Sequence, residues 1–258
     1  MRERFHSSKV AALIGSVSLA AALGASGLSL AQGGPPMVTD DPGTPGDGHW
    51  EINLAITGDR TRSGRHEVSA PDADINYGLG DRIQLKLDVP WTFARETGAG
   101  WTSGLGTGNV GVKWRFIDGG EDGTSVSTYP QYMSGWLASS RARGVASSDR
   151  EFFVPFEVST KAGDWGLDAE VGRNFVRGGI GEWVAGGIVA HACGTDTECL
   201  LEVHETSAPH DSHALVNLGL RWKLSESLNL LASAGREFGP HTDAQQTFAF
   251  YLGLQILR

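Results

Sequence analysis

The stretch DINYGLGDRIQLKLDVPW, residues 74–91, decides the fold. Its apolar residues recur at every second position on both sides of a glycine-rich turn at residues 78–82. Side chains of a β-strand alternate between two faces, whereas an α-helix repeats every 3.6 residues. The stretch therefore predicts a β-hairpin with one apolar face and one polar face.

The same alternation recurs along the chain, and no window of ten or more residues shows sustained helical periodicity. Besides the hairpin, it is clear at residues 50–56, 110–116, 165–171, 216–222 and 248–256. It is less regular at 125–136, 151–160, 183–193, 199–206 and 228–237. Together these segments predict twelve strands, an even number, as single-chain bacterial barrels require. We expect an all-β, transmembrane, antiparallel up-and-down β-barrel.

A soluble β-sandwich would alternate as well, but two features favour a membrane barrel. Short connections at 78–82, 118–123, 161–164, 193–199 and 224–227 alternate with longer ones at 94–108, 137–149, 173–182, 206–213 and 236–246. Most tryptophans fall near strand ends, as in the aromatic girdles at the two membrane interfaces.

Residues 1–31 have the features of a secretory signal peptide. Arg2, Arg4 and Lys9 precede a charge-free run over residues 10–31, and small residues occupy positions 29 and 31. The alternative is an uncleaved membrane anchor. Removal of residues 1–31 changes the formal net charge from −9 to −11, because three positive charges and one negative charge leave. Such an acidic chain lacks the basic patch that nucleic-acid binding needs.

The order of motifs resembles a known family of membrane proteins. The motifs are PMVTDDP at 36–42, HWEIN at 49–53, the hairpin at 74–91, GLG at 104–106, VKWRF at 112–116, YPQ at 129–131, SAGR at 233–236 and YLGLQ at 251–255. They are similar to the outer-membrane transporter family of the MetA pathway of phenol degradation. The resemblance implies a barrel for passage of small, aromatic or hydrophobic organic molecules. The chain departs from the usual aromatic C-terminus by ending in Ile256-Leu257-Arg258, the end that the barrel-assembly machinery is expected to recognise.

Strand parity places a mixed set of charges in the lumen. The inward-facing residues are Glu51, Asp72, Asp74, Lys86, Asp88, Lys113, Arg115, Glu157, Asp168, Glu170, Glu202 and Arg221. They predict either a polar path that selects solutes by charge or a narrow lumen closed by its own ion pairs. The acidic excess favours cations or neutral solutes.

The Pro-, Gly- and Asp-rich residues 32–48 precede the barrel of residues 49–258. They could hang in the periplasm or fold into the barrel as a plug. As a plug, Asp40 and Asp41 would meet Lys86, Lys113 or Arg115, because an unpaired charge inside a barrel is costly.

The two cysteines, Cys193 and Cys199, bracket a turn-like CGTDTEC sequence. Two thiols without suitably spaced histidines do not make a zinc site, so we expect a disulfide bond in an oxidising compartment. The Gly-x-Gly-x-Gly run at 104–108 lacks the strand–turn–helix setting of a nucleotide site.

One constellation resembles a hydrolase: His210 and Ser212, with His213 beside them. No orienting partner or oxyanion donor accompanies them, so we predict no enzyme activity, no cofactor and no metal. The expected partners are outer-membrane lipid, the assembly machinery and small solutes.

The leader gives the first testable prediction. Fractionation of cells should recover the protein in the outer membrane, and N-terminal sequencing should find that it begins at Gln32. A soluble periplasmic product, or a chain that still begins with residue 1, would contradict the assignment.

Overall fold

The computed structural model describes residues 33–120, 123–209 and 211–258. The predicted signal peptide, residues 1–31, lies outside the described residues. The strands are β1 Trp50–Thr61, β2 His66–Leu79, β3 Ile83–Arg95, β4 Thr102–Leu105, β5 Thr107–Ile117, β6 Ser125–Thr128, β7 Gln131–Gly135, β8 Arg150–Ala162, β9 Trp165–Val176, β10 Glu182–Ala192, β11 Thr197–Ala208, β12 Asp211–Ser225, β13 Leu228–Phe238 and β14 Gln246–Leu257.

Antiparallel pairing closes these strands into a barrel. The last strand pairs with the first, with Leu254 opposite Leu54. Strands β4 and β5 both pair with β3 and form one barrel strand, interrupted at Gly106. Strands β6 and β7 lie between β5 and β8 and form another, interrupted at Tyr129-Pro130, where proline lacks an N–H for the ladder. The described residues thus form twelve barrel strands, as predicted.

The two faces of the barrel are inverted relative to a soluble protein. On the outer face, Trp114 is 54% exposed and Leu218 is 64% exposed. On the inner face, Lys113 is 1% exposed and Glu202 is fully buried. A soluble β-sandwich would bury its apolar face, so the arrangement fits lipid outside and a polar lumen inside. The chain is a barrel of the bacterial outer membrane.

Aromatic residues lie towards both ends of this outer face. Trp50 and Trp165 each begin a strand at the end where Arg258 also lies, and Trp183 lies at the opposite end. The end with both barrel termini and the short turns faces the periplasm. The two aromatic levels mark the two membrane interfaces.

The long connections that we predicted at 94–108 and 206–213 are mostly strand. Strand β3 runs to Arg95 and pairing resumes at Thr102, while β11 ends at Ala208 and β12 begins at Asp211. Beyond the apolar band, water contacts the outer face, so the hydrogen-bond ladder continues through polar residues without the alternating pattern that reveals it. The connection at 136–149 is long, and it contains helix α1, Ala138–Ala142. No helix in the described ranges is both long and apolar enough to cross a bilayer.

A disulfide bond joins Cys193 and Cys199 at the β10–β11 turn, with a Cα–Cα distance of 5.7 Å. The bond closes a short loop, since the cysteines are six residues apart. A short loop limits the chain entropy that the bond removes from the unfolded state.

We therefore expect the unreduced, denatured protein to show no reaction with a thiol reagent. The double variant C193S/C199S should fold and lose about 2 kcal/mol in its free energy of unfolding, measured in urea. Two reactive thiols in the unreduced protein would refute the bond.

Candidate functional site: the lumen and the segment inside it

Every charged residue that we predicted to face the lumen lies on the inner face. Asp74, Lys113, Glu157, Asp168, Glu170, Glu202 and Arg221 are buried, and Glu51, Asp72, Lys86, Asp88 and Arg115 are half-buried. Most of the cations are paired. The Lys86 Nζ lies 3.1 Å from Asp74 Oδ1, and the Arg221 Nη1 lies 2.8 Å from Glu198 Oε2. Arg115 lies at the periplasmic rim, 3.1 Å from Asp118.

The N-terminal segment, residues 33–43, lies inside the barrel. Its turn is held by the Gly34 N–H, which donates to the Thr39 carbonyl at 2.8 Å. Thr39 is fully buried, close to Gly186 and His204 on the barrel wall. The position of Gly186 has no room for a larger side chain, because a Cβ there would lie 3.0 Å from Thr39 Cβ.

Barrel side chains bind the backbone of this segment. Glu202 Oε1 accepts hydrogen bonds from the N–H groups of Val38 at 3.0 Å and Thr39 at 2.6 Å. Ser233 Oγ donates to the Pro36 carbonyl at 2.8 Å, and Arg221 donates to the Pro35 carbonyl at 3.3 Å. Bonds to a charged carboxylate contribute about 1.5–3 kcal/mol each. The wall therefore binds this segment as a peptide ligand.

Lys113 is the centre of the charge network. Its Nζ lies 2.9 Å from Asp40 Oδ1 and 3.5 Å from Glu157 Oε2, and it donates a further bond to the Asp41 carbonyl. The same Nζ lies 4.6 Å from the ring centroid of Tyr129, which is fully buried. Of the three cations that we considered as partners for Asp40 and Asp41, the structure brings Lys113 to them.

The pKa values of the two aspartates of the segment are shifted in opposite directions. Burial raises the pKa of Asp40, but the positive charges of Lys113 and Lys86 outweigh it, so the pKa lies below its ordinary value. Burial dominates for Asp41, and its pKa is raised. Because the pKa of Asp40 is lowered, its bond to Lys113 is fully present above the ordinary Asp pKa. The bond weakens only as the pH falls through the lowered value.

Part of the lumen is apolar, which the sequence did not reveal. Met37 packs in a buried cluster with Ile188, Ala190 and Leu200. These wall residues belong to β10 and β11, where alternation is weak because both faces are apolar. Tyr129 also faces the lumen, and the alternation pattern does not predict it. The adjacent Pro130, which interrupts the strand, is the sequence signal that could have identified this position.

The segment separates two spaces of unequal size. On its extracellular side is a cavity of about 250 Å³, lined by Met37, Asp59, Glu67, Leu215 and Tyr251 among others. On its periplasmic side is a space of about 40 Å³, bordered by Asp40, Glu51, Lys86 and Lys113. The ion pair between Asp40 and Lys113 borders the smaller, periplasmic space.

Of the hydrolase-like residues, the structure describes Ser212 and His213, and these two side chains have different partners. Ser212 bonds to Glu205 at 2.8 Å, whereas His213 bonds to Thr242 at 3.1 Å and lies beside Asp211 on the inner side. His210 lies outside the described residues. Over the described ranges, no group of three or more His, Cys, Asp or Glu side chains is arranged to hold a metal ion.

Comparison with solved structures identifies the same architecture. The COG4313 outer membrane channel from Pseudomonas putida F1 matches with a TM-score of 0.64 and 12% identity, over 84% of this chain and 98% of that chain. The KdgM porin matches with a TM-score of 0.54 and 11% identity, over 79% and 98%. The NanC porin matches with a TM-score of 0.54 and 9% identity, over 79% and 98%.

Because the identities are low, these matches establish the fold and nothing finer. No protein-family model and no curated protein matches the chain. The barrel that the family resemblance implied is present, and the phenol-degradation pathway stays a prediction. The chain is similar in fold to outer-membrane channels and porins.

The Asp40–Lys113 bond gives a prediction about the segment. The variant Asp40→Asn removes the charge that Lys113 binds, so backbone N–H groups of residues 33–43 should exchange with deuterium about tenfold faster or more. Hydrogen-exchange mass spectrometry of the folded barrel measures this rate.

Asp47→Asn is the matched control. It makes the same change four residues beyond the segment, at the rim, where Asp47 Oδ1 accepts a hydrogen bond from the Gly80 N–H. Equal exchange in both variants would show that the Lys113 contact does not hold the segment.

Proposed function

We propose that the protein is an outer-membrane channel for small organic molecules, with residues 33–43 as a displaceable plug. The observation that carries the proposal is the position of the segment between two spaces of the lumen, where it is bound by Lys113 and Glu202. A solute that enters from outside would reach the larger cavity first and could pass only if the segment moves.

The larger cavity fits a small, partly apolar solute. Met37, Leu215 and Tyr251 provide apolar surface, and Asp59 and Glu67 provide negative charge. Its volume of about 250 Å³ exceeds the roughly 150 Å³ of an apolar cavity that holds benzene. The family resemblance supports aromatic or hydrophobic solutes, and the acidic lining favours neutral or cationic ones over anions.

The plug can leave without breaking the barrel. Its contacts are with side chains of the wall, whereas the ladder of the twelve strands closes without it. Residues 44–49 remain tied to the periplasmic rim, where Thr44 bonds to the Asp81 carbonyl at 2.8 Å and the Gly48 N–H bonds to Gly78 at 3.0 Å. The rim contacts would keep a displaced plug at the barrel mouth.

A closed structural barrel is the second candidate function. The observation in its favour is that the lumen cations on the periplasmic side are already paired, as Lys86 is with Asp74 and Arg115 with Asp118. Paired charges fill a narrow barrel without providing a path. The two functions differ in what happens when the plug is removed.

The deciding experiment is planar-bilayer conductance of the mature protein and of a variant that lacks residues 33–43. We expect conductance to rise on deletion, because the segment occupies the path. A variant with an eleven-residue Gly/Ser linker in place of residues 33–43 controls for length, and it should also conduct more than the parent, since it lacks Asp40 and the fixed turn.

Uptake of small aromatic solutes into proteoliposomes should rise in parallel with conductance. No conductance and no uptake in any of the three proteins would refute the channel and favour the closed barrel.

A further inference from the structure

The outer face of the extracellular rim carries arginines that have no carboxylate partner. Arg60 and Arg95 are exposed at the ends of β1 and β3, and His66 lies between them at the start of β2. Cross-strand pairing sets Arg60 opposite His66, and His66 opposite Arg95. We propose that this row binds phosphate groups of the phosphorylated glycolipid (lipid A) in the outer leaflet.

The arrangement places two cations without a carboxylate partner on one surface. Neighbouring strands lie about 5 Å apart, so Arg60 and Arg95, which are separated by β2, lie about 10 Å apart across the sheet. Glu96, adjacent to Arg95 in sequence, and Glu67 both pair with Arg65 instead. Asp59, adjacent to Arg60 in sequence, faces the lumen cavity on the opposite side of the sheet. Among the described residues, no carboxylate lies within 4.0 Å of the Arg60 or Arg95 guanidinium. A phosphate would supply the missing negative charge and accept bidentate hydrogen bonds.

The row lies at the height of a lipid headgroup. Arg60 is ten residues beyond Trp50 along β1, which corresponds to about 33 Å of strand and, at a tilt of about 40°, to about 25 Å of height. The apolar band of an outer-membrane barrel is also about 25 Å tall. With Trp50 at the periplasmic interface, Arg60 reaches the outer edge of the hydrocarbon layer.

Apolar side chains for acyl chains lie next to the row. Phe93 is exposed one outward position below Arg95, and Phe248 is exposed opposite Arg60. The Arg95 guanidinium lies 5.0 Å from the Trp101 ring centroid, which orients it over the aromatic surface. Phosphate-binding groups above an aromatic surface match an amphiphile with phosphates above several acyl chains.

A similar patch occurs on the opposite part of the wall. Arg177 donates its N–H to the Arg150 carbonyl at 2.9 Å, so these two arginines are neighbours at the rim. Arg173 lies below them on the same strand, 5.2 Å from the Trp183 ring centroid. At the periplasmic ends of the strands the outward residues include Leu79, Ile117, Trp165 and Leu224, and the exposed Arg82 and Arg258 lie beyond the strands, in a turn and at the C-terminus. Both arginine patches on the strands therefore lie at the outer leaflet, which contains the phosphorylated glycolipid.

Binding is tested on the folded, mature protein in an uncharged detergent, by native mass spectrometry with diphosphoryl lipid A. The double variant R60Q/R95Q should bind this lipid about tenfold more weakly or worse, since two charge-assisted contacts are lost. The matched control R82Q/R258Q removes two exposed arginines from the periplasmic rim and should bind as the parent does. Heat-modifiable migration verifies that each variant is folded.

Three arms with the unaltered protein identify the ligand and need no variant. Dephosphorylated lipid A and phosphatidylglycerol should bind at least about tenfold more weakly than the diphosphoryl form. Inorganic phosphate at the same concentration should not compete. Equal binding of either comparison lipid, full competition by free phosphate, or unchanged binding in R60Q/R95Q would each overturn the proposal.

Discussion

Lipid offers no hydrogen-bond partner to a strand edge, and the rest of the structure depends on that constraint. Pairing of β14 with β1 removes both edges, so the ladder is continuous around the barrel. Closure fixes which face of each strand meets lipid and which faces inward. The exposed tryptophans and leucines outside, and the buried aspartates, glutamates and lysines inside, follow from that geometry.

A narrow polar lumen then has to satisfy its own charges. Lys113 is buried at membrane depth, and an isolated ammonium group there would be costly. Glu157 supplies one partner from the wall, and Asp40 supplies another from the N-terminal segment. Glu202 accepts two backbone N–H groups of the same segment. The segment is held because it completes a network that the wall leaves incomplete.

Much of the barrel could be predicted from the sequence, since period-two alternation is a direct consequence of strand geometry. The sequence of residues 74–91 predicts both the turn of the hairpin and its polar and apolar faces. Strand parity also predicts that Lys86, Asp168 and Glu170 lie in the lumen. Parity also restricted the partners of Asp40 to three cations, but only the three-dimensional arrangement selects Lys113. Two kinds of feature were beyond the sequence. Wall residues such as Ile188 face inward and pack against Met37. Because both faces of these strands carry apolar residues, the sequence does not indicate which of them face the lumen. Strand ends past the apolar band pair without alternation, so the sequence predicts loops there.

The central claim is that residues 33–43 lie in the lumen of the membrane-embedded protein, and a disulfide trap measures it directly. In a C193S/C199S background, T39C would be paired with H204C, because Thr39 Oγ1 lies 3.3 Å from His204 Nδ1. The control pairs T39C with V203C, on the neighbouring residue that faces the opposite side of the sheet. Mild oxidation of intact outer membranes should cross-link the first pair and leave the second pair uncross-linked. Absence of the cross-link in the first pair, or equal cross-linking in both, would contradict the location of the segment.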